Sequence, residues 1–161
     1  MQENLLDYVP AAGAMQGRVI LVTGAAAGLG KAIATACAQA GATVVLLDKD
    51  MRRVEETYDE IVNAGYPEPA IYPLDMQGAT AKDYADLANN IEQQLGGLHG
   101  LVLNAAWLAC FTPVKHYDTE LWSKMIMVNL HANFLLTHAC LPLLEKSAYS
   151  SIVFASHTSN K

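Results

Sequence analysis

The sequence predicts an α/β fold, a doubly wound parallel sheet with helices on both faces. Short apolar runs rich in β-branched residues alternate with segments of helical period along most of the chain, as expected where helices cross over between parallel strands. The runs are continuous rather than alternating, which suits strands buried on both faces. A glycine-rich turn joins the first run to the first helical segment. At 161 residues, 52% hydrophobic and 16% charged, the chain has the size of one domain with a substantial core. That composition argues against disorder over most of its length.

Residues 1–17 lack a sustained period and contain Pro10, Gly13 and Gly17, so they read as an N-terminal arm, with Leu5, Leu6 and Tyr8 available to pack on the domain. The domain proper is 18–161. Val19 to Val22 form the first buried strand, ended by Thr23-Gly24. Ile33, Ala34, Cys37 and Ala38 then fall at helical spacing until Gly41 stops the helix. Thr43 to Leu47 make the second strand, closing at Asp48. Val54, Tyr58 and Ile61 form one face of a charged helix that ends at Asn63-Ala64-Gly65.

Ala70 to Leu74 give a weaker third strand, and Pro73 places it at a sheet edge because proline donates nothing to a ladder. A helix from about Lys82 to Leu95 follows, then Gly96-Gly97 and the short strand Leu101-Val102-Leu103. One long helix is expected from Thr119 to Leu144, with Pro142 near its end or at a bend. Ser151 to Ala155 read as the fifth strand.

Several function classes are disfavoured. Ten basic against sixteen acidic residues give a net charge of −6, a poor basis for binding nucleic acid or an anionic membrane surface. Cys37, Cys110 and Cys140 are scattered and form no C-x-x-C pair, so free thiols are expected rather than a disulfide framework or zinc site. No metal is expected, since His99, His116, His131, His138 and His157 match no ligand spacing. The first basic residue is Arg18, so the N-terminus lacks the charged region of a secretory signal. Uninterrupted apolar runs are too short for a membrane span. The expected protein is soluble and cytoplasmic.

The chemistry concentrates at Thr23-Gly24-Ala25-Ala26-Ala27-Gly28-Leu29-Gly30. Gly24 allows a tight turn at the strand end, Gly28 lets backbone approach a pyrophosphate, and Gly30 permits close helix–strand packing. The helix N-terminus then offers free N–H groups to the phosphates. A strand before and a helix after supply the context this motif requires. Asp48 lies about 24 residues beyond Gly24, near the offset of a ribose-binding carboxylate. There it can accept from both adenosine ribose hydroxyls and repel a 2′-phosphate. The alternative is a surface aspartate that caps the next helix. Lys49, beside it, can pair with a 2′-phosphate. NAD is favoured over NADP on this reading.

With these residues in hand, the sequence resembles the short-chain dehydrogenase/reductases. Thr23-Gly24-x-x-x-Gly28-x-Gly30 is similar to that family's cofactor signature, including Ala26, Ala27 and Leu29 within it. Asp75-Met76 looks like its aspartate–hydrophobic pair beside the adenine. Asn104-Ala105-Ala106 resembles its Asn-Asn-Ala-Gly motif, with Leu103 replacing the first Asn and Ala106 the Gly. Val128-Asn129 looks like the segment whose Asn belongs to the catalytic tetrad. The resemblance covers everything after about Gly17. It implies a Rossmann-like sheet of order 3-2-1-4-5 without the family's C-terminal strands. The implied activity is NAD(P)-dependent hydride transfer between an alcohol and a carbonyl, with a dinucleotide and a small-molecule substrate as partners.

The departures from the family are chemical. Aligning Ile152 to Ser156 on the usual end of strand five puts the family's catalytic Ser at His157, with Ser156 as the adjacent hydroxyl. No tyrosine is followed by lysine four residues later, so the Tyr-x-x-x-Lys acid–base pair is missing and the chain reads as truncated. A positioned acid or base contributes about 10²–10⁴-fold to such a reaction, so this chain is expected to lack useful activity alone. The alternatives are a non-catalytic dinucleotide-binding module and an inert relative. An uncovered fifth strand and long apolar helix also predict self-association or a homo-oligomer.

Overall fold

The computed structural model describes residues 10–156. Leu5, Leu6, Tyr8 and the rest of 1–9, like His157 and the four residues after it, lie outside the described residues. Five parallel strands form the sheet: β1 (Val19–Thr23), β2 (Thr43–Asp48), β3 (Ala70–Pro73), β4 (Gly100–Leu103) and β5 (Ser151–Phe154). Their order is β3-β2-β1-β4-β5, as the family resemblance implies. The central β1 is buried at every residue. At one edge Pro73 pairs opposite Asp48, where its missing donor costs no ladder bond on the outer side.

The helices are α1 (Gly28–Gln39), α2 (Met51–Asn63), α3 (Ala81–Leu95), α4 (Thr119–Ile126) and α5 (Ala132–Glu145). They cover the two faces of the sheet. Ile20 and Val22 pack with Ala34 and Ala38 of α1 and Val54 and Ile61 of α2. Val19 and Leu21 pack on the opposite side with Leu87 and Ile91 of α3 and Leu136 and Cys140 of α5. Side chains of a strand alternate between faces, so one apolar run serves both layers. Of the arm, Met15 is fastened by its N–H to the Ala40 carbonyl at 2.9 Å and packs against the α1–α2 layer.

The long C-terminal helix differs from expectation in the middle. Between α4 and α5 the turn widens to π geometry over Met127–His131, where the Ala132 N–H reaches the Met127 carbonyl. Pro142 lies inside α5, which continues to Glu145. The whole of Thr119–Glu145, 27 residues, is long and apolar enough by composition to cross a membrane. In the fold its Ala132, Leu136, Cys140 and Leu143 side sits on the sheet and α3.

Burial on that face makes stability sensitive to alkali. The Cys140 thiol is pushed up to about 12 by burial, and the Tyr84 hydroxyl also to about 12, by burial first and then by the charges of Asp83 and Asp75. Both native groups therefore hold protons that the unfolded chain releases. A raised native value means stability is complete below the unfolded thiol's value and falls as pH rises through 9 toward 12. The limiting slope is about 1.4 kcal/mol per pH unit per proton. Melting temperature should decline between pH 9 and 10.5, and Cys140→Ala should flatten the first part of that decline. An unchanged slope in Cys140→Ala would show that Cys140 is not its source.

Candidate functional site

The carboxyl ends of β1, β2 and β4 open on a cleft of about 430 Å³. It lies where strand order reverses across β1, the place at which open α/β sheets admit ligands. Gly24, Ala26 and Ala27 line it from the turn after β1, and Asp48 and Lys49 from the end of β2. Asp75 and Met76 follow β3, and the stretch Asn104 to Trp107 follows β4. The structure thus gathers four sequence-separated motifs around one opening.

The three glycines do three different jobs. At Gly24 φ is +70°, and an added Cβ would lie 2.9 Å from Asn104 Nδ2 and 3.1 Å from the Ala105 Cα. Gly30 has no such dihedral, but its Cβ would overlap the Gly24 carbonyl; this is the close approach of α1 to the end of β1. Gly28, with φ +54°, faces open space. The N-cap of α1 is Ala27, without a side-chain capping bond, and the first turn carries no acidic residue. The orphan N–H groups of that turn and the positive end of the helix are left for an anion. Leu29 is exposed and does not line the cleft.

Thr23 is fully buried and structural. Its Oγ1 donates to the Val102 carbonyl (3.3 Å) and accepts from the N–H groups of Asn104 (3.0 Å) and Ala105 (2.9 Å). Asn104 answers by donating from Nδ2 to the Thr23 carbonyl at 3.1 Å. These bonds tie β1 to the segment after β4 and set the far wall of the cleft.

Asp48 does not cap α2; Asp50 does, accepting the Arg53 N–H at 3.3 Å. The Asp48 carboxylate instead receives the Ala26 N–H on Oδ2 (3.1 Å) and the Lys49 and Asp50 N–H groups on Oδ1 (2.7 and 3.1 Å). It joins the glycine turn to the end of β2 and faces the cleft from there. Positive charge stands close by: Lys49 Nζ is 3.9 Å from Asp75 Oδ1, and Arg53 Nε 3.5 Å from Asp50 Oδ2. All four side chains are about half exposed, so solvent screens these pairs.

Asn129 lies in the π turn, and both ends of its amide are taken by one backbone. Oδ1 accepts the Trp107 N–H at 2.8 Å and Nδ2 donates to the Trp107 carbonyl at 2.9 Å. Ser156, two residues past β5, is exposed and does not line the cleft. Among the described residues no group of three or more His, Cys, Asp or Glu is arranged to hold a metal.

Motif reading misses several residues of the site. Arg53 and Gln77 line the cleft; so do Val128, quoted in sequence only beside Asn129, and Trp107, for which the sequence favours packing over a cleft role. Thr57, fully buried, donates from Oγ1 to the Ala25 carbonyl at 3.3 Å and so backs the glycine turn from α2. Only helical spacing from the Asp50 cap could have pointed to Arg53 and Thr57, and that spacing is common to every helix.

A family model described as short chain dehydrogenase matches residues 18–160. Among relatives, the uncharacterized oxidoreductase YciK of Escherichia coli K12 is 34% identical over 151 residues, covering 94% of this chain and 60% of YciK. The short chain dehydrogenase mpl6 of Monascus purpureus is 36% identical over 140 residues, 85% of this chain and 48% of that protein. A solved short chain dehydrogenase structure from Pseudomonas syringae superposes with TM-score 0.89 at 43% identity, covering 92% of this chain and 61% of that one. Another, from Escherichia coli CFT073 in complex with NADPH, gives 0.86 at 35% identity over 90% and 60%. The chain therefore spans about 60% or less of the length of these relatives.

Proposed function

The chain belongs to the short-chain dehydrogenase family, and from that premise we propose that its cleft binds a nicotinamide dinucleotide for hydride transfer between an alcohol and a carbonyl. The observation that carries this reading is the uncapped N-terminus of α1, whose N-cap Ala27 lines the cleft together with Asp48, with open space at the adjoining Gly28. A pyrophosphate fits that place by both room and charge. The NADPH bound to the Escherichia coli CFT073 relative supports the cofactor class. This chain's part is to seat the dinucleotide and carry Asn129. Proton transfer at the substrate oxygen needs a positioned acid or base, and no tyrosine here has a lysine four residues on.

Asp48 favours NAD within this reading. Its carboxylate lies at the end of β2 facing the cleft, where a 2′-phosphate would meet like charge. Lys49 and Arg53 oppose that preference, but each is already drawn toward a carboxylate. Calorimetric titration of the chain with NADH and NADPH tests both levels. NADH should bind more tightly, and Asp48→Ala should shift the ratio toward NADPH by about tenfold, equivalent to roughly 1.4 kcal/mol. Tighter NADPH binding by the unmodified chain would make Lys49 and Arg53 dominant, and no binding of either would remove the proposal.

The same chain should self-associate. Val153 and Phe154 of β5 are exposed on a strand whose outer edge has no partner among the described residues, a template for intermolecular pairing. Trp122, Leu130 and Phe134 add apolar surface along the α4–α5 helix. Light scattering at several concentrations should show mass rising with concentration; a monodisperse monomer would refute it.

A further inference from the structure

We propose that Asn133 is a positioning residue for the cleft, holding the wide turn from which Asn129 clamps Trp107. The inference rests on the cleft being the dinucleotide site. A π turn is a rare insertion in a helix and needs specific support. Here Asn133, in the first turn of α5, donates from Nδ2 to the Asn129 carbonyl at 2.9 Å. A carbonyl only accepts, so this bond dictates which way the Asn133 amide is turned. Its Oδ1 is consequently directed elsewhere, where it is inaccessible to solvent and has no partner among the described residues. An unpaired buried carbonyl oxygen is destabilising, whereas an apolar side chain of similar size would carry no such cost. Packing alone therefore does not account for asparagine at this position, and the donated bond does.

The consequence travels along a short chain of contacts. Asn133 holds the Asn129 backbone; the Asn129 side chain holds both the N–H and the carbonyl of Trp107. Trp107 and the three residues before it line the cleft. Thr23 anchors the near end of that segment at Asn104 and Ala105. Among the described residues, Asn129 supplies the hydrogen bonds at its far end. Loosening Asn129 would free the Trp107 side of the wall while leaving β4 and its Thr23 anchor in place.

The test uses the full chain with Asn133→Leu, which removes the donor at similar volume, and Asn133→Gln, which keeps one. Amide exchange at Trp107, affinity for NADH and NADPH, and melting temperature are measured together. For Asn133→Leu, exchange at Trp107 should quicken and dinucleotide affinity should fall, each by about tenfold, as for one lost hydrogen bond. Its melting temperature should hold or rise, because the unpaired oxygen is gone. Asn133→Gln should recover most of the affinity. Unchanged exchange and affinity in Asn133→Leu, or an affinity loss matched by a fall in melting temperature, would overturn the proposal. If the unmodified chain binds neither dinucleotide, the cleft reading fails, and the Trp107 exchange rate alone decides the role of Asn133.

Discussion

Gly28→Leu should abolish dinucleotide binding in a chain that still folds, whereas Gly30→Val, two residues away, should prevent folding. The difference follows from what each new side chain meets. At Gly28 a Cβ has nothing within 4 Å, so the protein itself makes room, and the leucine occupies the volume above the helix N-terminus instead of a pyrophosphate. The backbone there is left-handed, with φ +54°, which costs an L-residue about 1–2 kcal/mol. A domain of ordinary stability survives that. At Gly30 even a methyl would overlap the Gly24 carbonyl and approach Asn104 Nδ2 at 2.5 Å. Neither neighbour can retreat: Gly24 is bonded by its N–H to the Leu47 carbonyl at 2.9 Å, and Asn104 is tied to Thr23. Valine at position 30 must therefore push α1 off the sheet, a loss of more than about 4 kcal/mol. Circular dichroism and calorimetry on the two variants separate the effects. Wild-type affinity in Gly28→Leu would remove the glycine turn from the binding site, and a normally folded Gly30→Val would show that α1 can shift without cost.

Thr23→Val should lose roughly 2–5 kcal/mol, which is the penalty for leaving the two N–H donors of Asn104 and Ala105 without their acceptor. Valine keeps the shape of the fully buried side chain, and beside the two accepted bonds it loses only the donation to the Val102 carbonyl. Thr23→Ser keeps the hydroxyl and loses one methyl, a change of about 1 kcal/mol. Urea unfolding of the pair measures the gap between them. Dinucleotide affinity should follow the same order, because Asn104 and Ala105 line the cleft. Equal stabilities for valine and serine would mean that the three bonds at Oγ1 contribute nothing net.

Thr23 also marks where sequence reading stops. As part of the Thr-Gly-x-x-x-Gly-x-Gly run it reads as a cofactor residue, yet its hydroxyl is spent on residues 79 to 82 positions away. Asp48 is similar. Its place at the end of the second strand is legible, but its bond to the Ala26 N–H, 22 positions back, is not. The π turn at Asn129 was hidden for a related reason. The apolar period runs through Met127–His131 without interruption, and nothing local shows that one turn is wider than its neighbours.

The family resemblance supplied the strand order; the sequence by itself determined the layers and the glycine turn. Each depends on a short-range property: an apolar run long enough for one strand, a 3.6-residue period, or a glycine where no Cβ fits. Those signals lie within a dozen residues and survive whatever the chain does elsewhere. Only the tertiary structure decided which polar groups are free to meet a ligand. Asn104, Asn129, Thr23 and Asp48 each spend hydrogen bonds on backbone from a different strand or loop. Such pairings are fixed by how the elements pack, since a buried donor must find an acceptor wherever the fold brings one. The open space at Gly28 and the Asn133–Asn129–Trp107 chain belong to that second kind of information, because both are made of contacts between segments that the linear order keeps apart.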